Sequence, residues 1–282
     1  MQRFSGKKCA VVGGLGFIGS HIVDRLIEEG AEVLVLDNCL TGNNFNPNAT
    51  FVKTDITDFD QLLYGLRDID YVFHTAAIAR TPWCIDDPIL CYKTNVMGTL
   101  NVLEASRKNA VGRVVLSSSN VVYAFDTPYR TSKESVERLG DTYVRMYKQS
   151  VISLRYSNVY GKRQREDGPS PNVFAALRKS KRENGHLIIT GDGEQSRDYT
   201  HVSDIVEGNL LAALSDYCGT VDLCTGVNTS LNQVAKYFDC PVKYIEERPG
   251  DVKHIVQDSK PAKEILDFQY TVGLEAGIRD VL

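Results

Sequence analysis

The sequence predicts an α/β fold: a doubly wound parallel sheet with a smaller mixed α/β region behind it. Three observations carry that prediction. Short runs of Val, Ile and Leu recur through the first half without polar alternation, as in strands covered on both faces. Segments with helical spacing separate these runs, so strand and helix take turns along the chain. The first strand ends in glycines that open the first helix.

The elements follow in order. KCAVVG (8–13) is the first strand, and HIVDRLIEEG (21–30) places Ile22, Leu26 and Ile27 on one helix face with Gly30 as its C-terminal stop. AEVLVLD (31–37), TFVKTD (50–55), DYVFHTAA (70–77) and GRVVLSSS (112–119) are the next strands. Residues 86–109 predict one long helix between the last two. A helix over 129–148 follows, with Thr127 as N-cap and Pro128 in the first turn. Its face through Val136, Leu139, Tyr143 and Met146 reads as buried, and VISLRY (151–156) as another buried strand.

The second half differs. Residues 157–199 read as polar Gly- and Pro-containing segments around one helix near 171–183. TVDLCTG (220–226) looks like one more sheet strand, followed by short helices near 230–238 and 259–266. We expect a first domain over 1–168, with 200–226 returning to it, and a smaller second domain mainly over 169–282.

Bulk properties exclude several classes. The formal net charge of −4 gives no general attraction to nucleic acid or anionic membrane, and the basic runs KRQR (162–165) and RKSKR (178–182) read as solvated faces. No apolar run approaches the roughly 18–20 residues of a membrane span, and the N-terminus lacks a signal peptide's apolar region. Seven cysteines without a Cys-x-x-Cys pair argue against a disulfide framework or zinc site. A cytoplasmic protein with reduced thiols and no metal is therefore expected.

Two motifs carry chemistry. GGLGFIGS places Gly13, Gly16 and Gly19 between a strand and a helix. There they permit a tight turn, close approach of the backbone to a pyrophosphate, and close helix–strand packing. Asp37, ending the second strand, suits an adenosine ribose and repels a 2′-phosphate, so NAD is expected rather than NADP. Asp55 and Ile56 stand where they contact adenine or serve as ordinary loop residues, and both readings stay open. The second motif is Tyr129-x-x-x-Lys133, a spacing near chance in a chain with 14 tyrosines. Its context, a helix start after a serine-rich strand end, makes Tyr129 a candidate acid/base. Lys133 lies one turn away and is expected to lower the phenol's pKa. The blander alternative is that Tyr129 is the first core residue of its helix.

GGLGFIGS, LDN (36–38), HTAA (74–77), KTNVMGTLNVLEA (93–105), SSSNVVY (117–123), YRTSK (129–133), LRYSNVYG (154–161), GDGEQSRDYTHVSD (191–204) and RPGD (248–251) come in a familiar order. Together they resemble the extended short-chain dehydrogenase/reductase family, in its nucleotide-sugar epimerase and dehydratase branch. The resemblance spans essentially the whole chain and implies a Rossmann-type NAD-binding domain with a smaller mixed α/β substrate domain. It implies Ser119, Tyr129 and Lys133 as catalytic residues. Cofactor contacts would come from Gly13, Gly16, Phe17, Ile18, Gly19, Asp37, Asn38, Asp55, Ile56, Ala76, Ala77, Tyr129 and Lys133, with Asn95 cofactor-side or structural. Ser119, Asn158, Arg197, Arg248 and Asp251 would hold the UDP-sugar substrate, and Ser117 and Ser118 would be structural.

The implied reaction is NAD-dependent epimerisation at C4 of a UDP-hexose through a transient 4-keto sugar, with UDP-glucose and UDP-galactose or their N-acetyl forms as substrates. A homodimer built on the helices near 86–109 and 129–148 is implied as well. Two departures matter. Asn120 and Val121 stand where dehydratases carry acids and decarboxylases a glutamate, which lowers the weight of those reactions. The segment between Tyr123 and Tyr129 is only five residues long, which opens the pocket and leaves sugar selectivity unsettled; Ile255, at a position able to gate N-acetyl sugars, does not settle it. The alternatives are a decarboxylase, dehydratase or reductase of the same branch, or a protein that binds NAD and nucleotide sugar without turnover.

Overall fold

A computed structural model describes residues 2–165, 173–247 and 252–281. The strands are β1 (Lys8–Val12), β2 (Glu32–Asp37), β3 (Thr50–Lys53), β4 (Tyr71–His74), β5 (Arg113–Ser119), β6 (Val151–Tyr156), β7 (Asn158–Tyr160), β8 (Leu187–Thr190), β9 (Ser196–His201), β10 (Gly219–Leu223), β11 (Asn228–Ser230) and β12 (Val242–Ile245). Seven form one sheet in the order β10-β6-β5-β4-β1-β2-β3, every neighbouring pair parallel. The order reverses between β1 and β4, the switch point at which doubly wound sheets open a ligand crevice. Two small sheets, β11-β9-β7 and β12-β8, lie outside it.

Helices cover both faces of the large sheet. The first six are α1 (Phe17–Glu28), α2 (Phe59–Gly65), α3 (Thr81–Asp86), α4 (Pro88–Tyr92), α5 (Thr99–Lys108) and α6 (Pro128–Tyr147). They are followed by α7 (Val173–Asn184), α8 (Val202–Leu214), α9 (Leu231–Ala235), α10 (Lys260–Leu266) and α11 (Leu274–Val281). Cys9 and Val11 face Ile22 and Leu26 of α1 and Ile205 and Leu210 of α8. Ala10 and Val12 face the opposite core, with Leu62, Val102, Leu103 and Val136. Alternate residues of β1 are thus buried on opposite sides, which explains its unbroken apolar run. Each such Leu, Ile or Val contributes about 1.5–3 kcal/mol on burial. A third core, with Phe174, Leu187, Ile189, Tyr199 and Phe238, belongs to the small sheets.

Local signals act as read. The Thr127 hydroxyl accepts from Arg130 N at 3.1 Å and Pro128 opens α6. Gly30 takes φ +83° just past α1. Other expectations need correction. The long helix expected over 86–109 runs without a gap from Pro88 to Lys108, but Lys93–Gly98 widens to a π-helix between α4 and α5. Pro88 restarts the chain after α3, and a Cβ on Gly98 would stand 2.4 Å from Ile56 Cδ1, so the wide turn packs tightly on the β3–α2 loop. Met146 is 71% exposed, because the buried face of α6 ends at Tyr143. Residues 157–199 hold three strands rather than only polar segments around a helix. In β9, polar Asp198 is buried because its carboxylate accepts from Thr225 N, Thr225 Oγ1 and Gly226 N.

Candidate active site

The loops leaving β1, β2, β4, β5 and β6 converge at the carboxyl edge of the sheet, where doubly wound folds bind ligands. After β1, Gly13 takes φ +84°, and a Cβ there would lie 2.5 Å from Ala76 N. A Cβ on Gly19 would lie 2.2 Å from Gly13 O, so the helix can approach the strand only without a side chain. Gly16 is the N-cap of α1 and offers no side-chain acceptor, leaving the first-turn amides of Phe17, Ile18 and Gly19 to an outside anion. A pyrophosphate fits that need.

Asp37 ties this loop to β2: its carboxylate accepts from Leu15 N at 3.0 Å and Cys39 N at 2.8 Å. Burial raises its pKa, and those two bonds oppose the rise. Asn38 donates to Asp55 at 3.2 Å, and Asp55 also accepts from Thr57 N and Thr57 Oγ1. Burial would raise Asp55, but the bonds from Thr57 and Asn38 and the charge of Lys93 hold it below the usual carboxylate range. Ile56 is buried, and its carbonyl accepts from Asn101 Nδ2. Ala76 N donates to Val12 O, and Ala77 is half-buried beside it. Asn95 is fully occupied within the protein: its Oδ1 accepts from Ile78 N, and its Nδ2 donates to Ile78 O and Ser132 Oγ.

Ser119, Tyr129 and Lys133 come together at the end of β5 and the start of α6. Ser119 Oγ accepts from Val121 N at 3.2 Å, and the hydroxyl favours the ionised form of the Tyr129 phenol. Lys133, buried, donates from Nζ to Ser117 O at 2.7 Å. Its ammonium was expected to draw the phenol's pKa down. Instead burial dominates and pushes Tyr129 up to about 12, against the lowering pull of Ser119 and Arg80. Burial also lowers Lys133 to about 8, with Cys84, Cys91 and Glu137 acting in the other direction.

The surrounding serines are bound within the fold. Ser117 Oγ donates to His74 O, and Ser118 Oγ donates to Glu137. Arg155 engages Glu137 through two parallel bonds at 2.8 and 2.7 Å and donates to the Tyr123 phenol, which donates to Asp222 on β10. Asn120 donates to Asn158 Oδ1 at 3.0 Å, placing Asn158 at this same edge. Arg197, on β9, donates to Val252 O at 2.6 Å and Lys253 O at 3.1 Å. Arg248 and Asp251 lie outside the described residues.

Several residues here escaped the sequence reading. Glu137, Arg155 and Asp222 are far apart in the chain and carry no local signature. Cys84 and Cys91 pack with Ile78 against Tyr129, and Arg80 caps α3 beside it.

The family model for NAD-dependent epimerases and dehydratases matches residues 9–219, the glycine loop and the Tyr129–Lys133 pair included. The chain belongs to that family. NAD is its cofactor. A protein of Methanocaldococcus jannaschii, provisionally named a UDP-glucose 4-epimerase, is 37% identical over 96% of both chains. UDP-glucuronic acid decarboxylase 1 of Arabidopsis thaliana is 31% identical over 96% of this chain and 68% of its own. The crystal structure of UDP-glucose 4-epimerase from Thermotoga maritima with UDP-glucose superposes with a TM-score of 0.92 at 34% identity, covering 97% of this chain and 96% of that one. The chain is thus an enzyme of a family whose members modify nucleotide sugars in more than one way. No helix among the described residues is long and apolar enough to cross a membrane.

Proposed function

We propose that the chain interconverts the C4 epimers of a UDP-hexose through a 4-keto sugar. One observation carries this reading: Lys133 Nζ holds Ser117 O at 2.7 Å, which brings the start of α6, with Tyr129 one turn earlier, to the Ser119 end of β5 at the edge that carries the glycine loop. The glycine loop and the first turn of α1 would hold NAD, which would supply the hydride acceptor and donor for C4 of the sugar. As the phenolate, the form that Ser119 and Arg80 favour against burial, Tyr129 takes the proton from the C4 hydroxyl and later returns it, while Ser119 hydrogen-bonds that oxygen. Lys133 holds a positive charge behind the phenol, fixed by Ser117 O.

Asn120 and Val121 favour epimerisation over elimination or decarboxylation, since neither side chain transfers a proton to C5 or C6. Asn120 is further committed to Asn158. Rotation of the keto sugar needs its diphosphate held, the role we assign to Arg197, Arg248 and Asn158, with Asp251 on the uridine ribose. Arg197 suits that role because its forked guanidinium can exchange carbonyl partners for phosphate oxygens.

The same reading gives residues 1–168 with 200–226 to the NAD domain, and most of 169–282 to the substrate. The packing of α8 and β10 in the first core supports it. Exposed Ile89, Met97 and Met146 on the helices of 88–147 support a homodimer through that surface.

Incubating the protein with UDP-glucose or UDP-galactose without added reductant tests the reaction. Interconversion with no net NADH is expected; stoichiometric NADH or a 4-keto-6-deoxy sugar would contradict it.

A further inference from the structure

Arg80 ends the loop leaving β4 and is the N-cap of α3, its extended backbone held by the bond from Cys84 N to Arg80 O at 3.0 Å. It is half-buried, yet among the described residues no hydrogen bond or ion pair engages its guanidinium. It stands beside Tyr129: Cys84, bonded to Arg80 O, packs with Ile78 and Cys91 against the Tyr129 ring. Among the described residues that phenol is the one ionisable group acting on the guanidinium, whose pKa burial lowers. The other arginines at this depth are saturated. Arg113 donates to Ala212 O, Tyr217 O and Ser150 Oγ, and Arg155 to Glu137 and Tyr123. A guanidinium drawn partly out of water without an acceptor costs stability, and a protein tolerates that where a ligand supplies the missing anion.

We infer that Arg80 is a specificity-determining residue that binds a carboxylate on the sugar ring, so that the preferred substrate is a UDP-hexuronate. The inference rests on the epimerase reading, which puts the sugar's C4 at the Tyr129 phenol. The carboxylate of a hexuronate is C6, attached to C5 beside C4, and so reaches a cation next to that phenol. Its two oxygens match the guanidinium fork, whereas the C6 hydroxyl of an ordinary hexose offers one neutral acceptor. The diphosphate, the substrate's other anion, lies in this reading beyond C1, toward Arg197. Because the keto sugar turns over, only one of its two poses brings C6 to Arg80. The guanidinium should therefore lower KM more for one epimer than for the other.

The test compares UDP-glucuronate with UDP-glucose. The wild-type protein is expected to favour UDP-glucuronate in kcat/KM by about 30-fold, the effect of one partly desolvated charge pair. Arg80→Met should collapse that ratio, and Arg80→Lys should restore part of it. Calorimetric titration of the non-turning-over Tyr129→Phe protein, with and without Arg80→Met, reads the same preference as a Kd ratio. Equal weakening of both sugars and of UDP would place Arg80 on the nucleotide and overturn the inference. Interconversion of UDP-glucose and UDP-galactose without a uronate preference would overturn it while leaving the epimerase reading intact. If no C4 pair interconverts, the epimerase reading fails, and the Kd ratio still decides whether Arg80 binds a carboxylate.

Discussion

The two ends of the candidate site are held by different means. Around Tyr129 the polar groups are locked by the seven-stranded sheet: Lys133 on Ser117 O, Ser118 on Glu137, Glu137 on Arg155, and Asn95 on Ile78 and Ser132. Around Arg197, on a small mixed sheet, the partners among the described residues include backbone carbonyls of 196 and 252–253. In the proposed reaction the proton transfer falls at the sheet-locked end, where a proton must move over a fixed distance, and the grip on the substrate at the end where partners can be exchanged. Small displacements should therefore damage turnover at the first end and affinity at the second.

The largest effect is expected at the phenol. Tyr129→Phe should lower kcat by about 10²–10⁴-fold, the range for a lost acid/base, with an unchanged melting temperature and unchanged NAD binding. Next comes the cofactor loop. Gly19→Ala forces a Cβ to 2.2 Å from Gly13 O and should destabilise the fold by about 3 kcal/mol or abolish NAD retention, as read by denaturant titration and by cofactor content after gel filtration.

Lys133→Met should separate activity from stability. The folded pKa of Lys133, about 8, lies below its ordinary value of 10.5, so between those limits the unfolded chain binds the extra proton and stability rises with pH. Below pH 8 the buried charge is a full penalty. The variant should therefore gain on the order of 3 kcal/mol at pH 7, less what the lost bond to Ser117 O contributed, while losing turnover. For the wild type, kcat should fall as pH rises through about 8, as the ammonium behind the phenol is lost.

The smallest effect belongs to the substrate end. Arg197→Lys keeps the charge but loses the fork, and should raise KM for UDP-sugars several-fold with kcat nearly unchanged. A fall in kcat without a change in KM would erase the contrast between the two ends.

How legible each end was follows from the same physics. β1, α1 and β2 were readable because their burial is continuous and their turn demands glycine at 13 and 19. The π-helix at 93–98 was not, since its widened turn answers to Ile56, far away in sequence. β9 was hidden because SRDYTH looks solvent-facing until Asp198 meets the amides of 225–226. Ser119, Tyr129 and Lys133 had a local signature, whereas Arg80 had none. Its meaning lies in the partner it lacks, and only three dimensions show that. The direction of the phenol's shift was also out of reach, because burial by Cys84, Cys91 and Ile78 is a tertiary fact.

The most direct test of the central claim is the reaction run in D₂O with UDP-glucose and read by proton NMR. A hydride carried from C4 and returned to C4, with no proton removed from C5, predicts UDP-galactose retaining hydrogen at both carbons. Deuterium at C5, or a 4-keto-6-deoxy sugar in place of UDP-galactose, would contradict it.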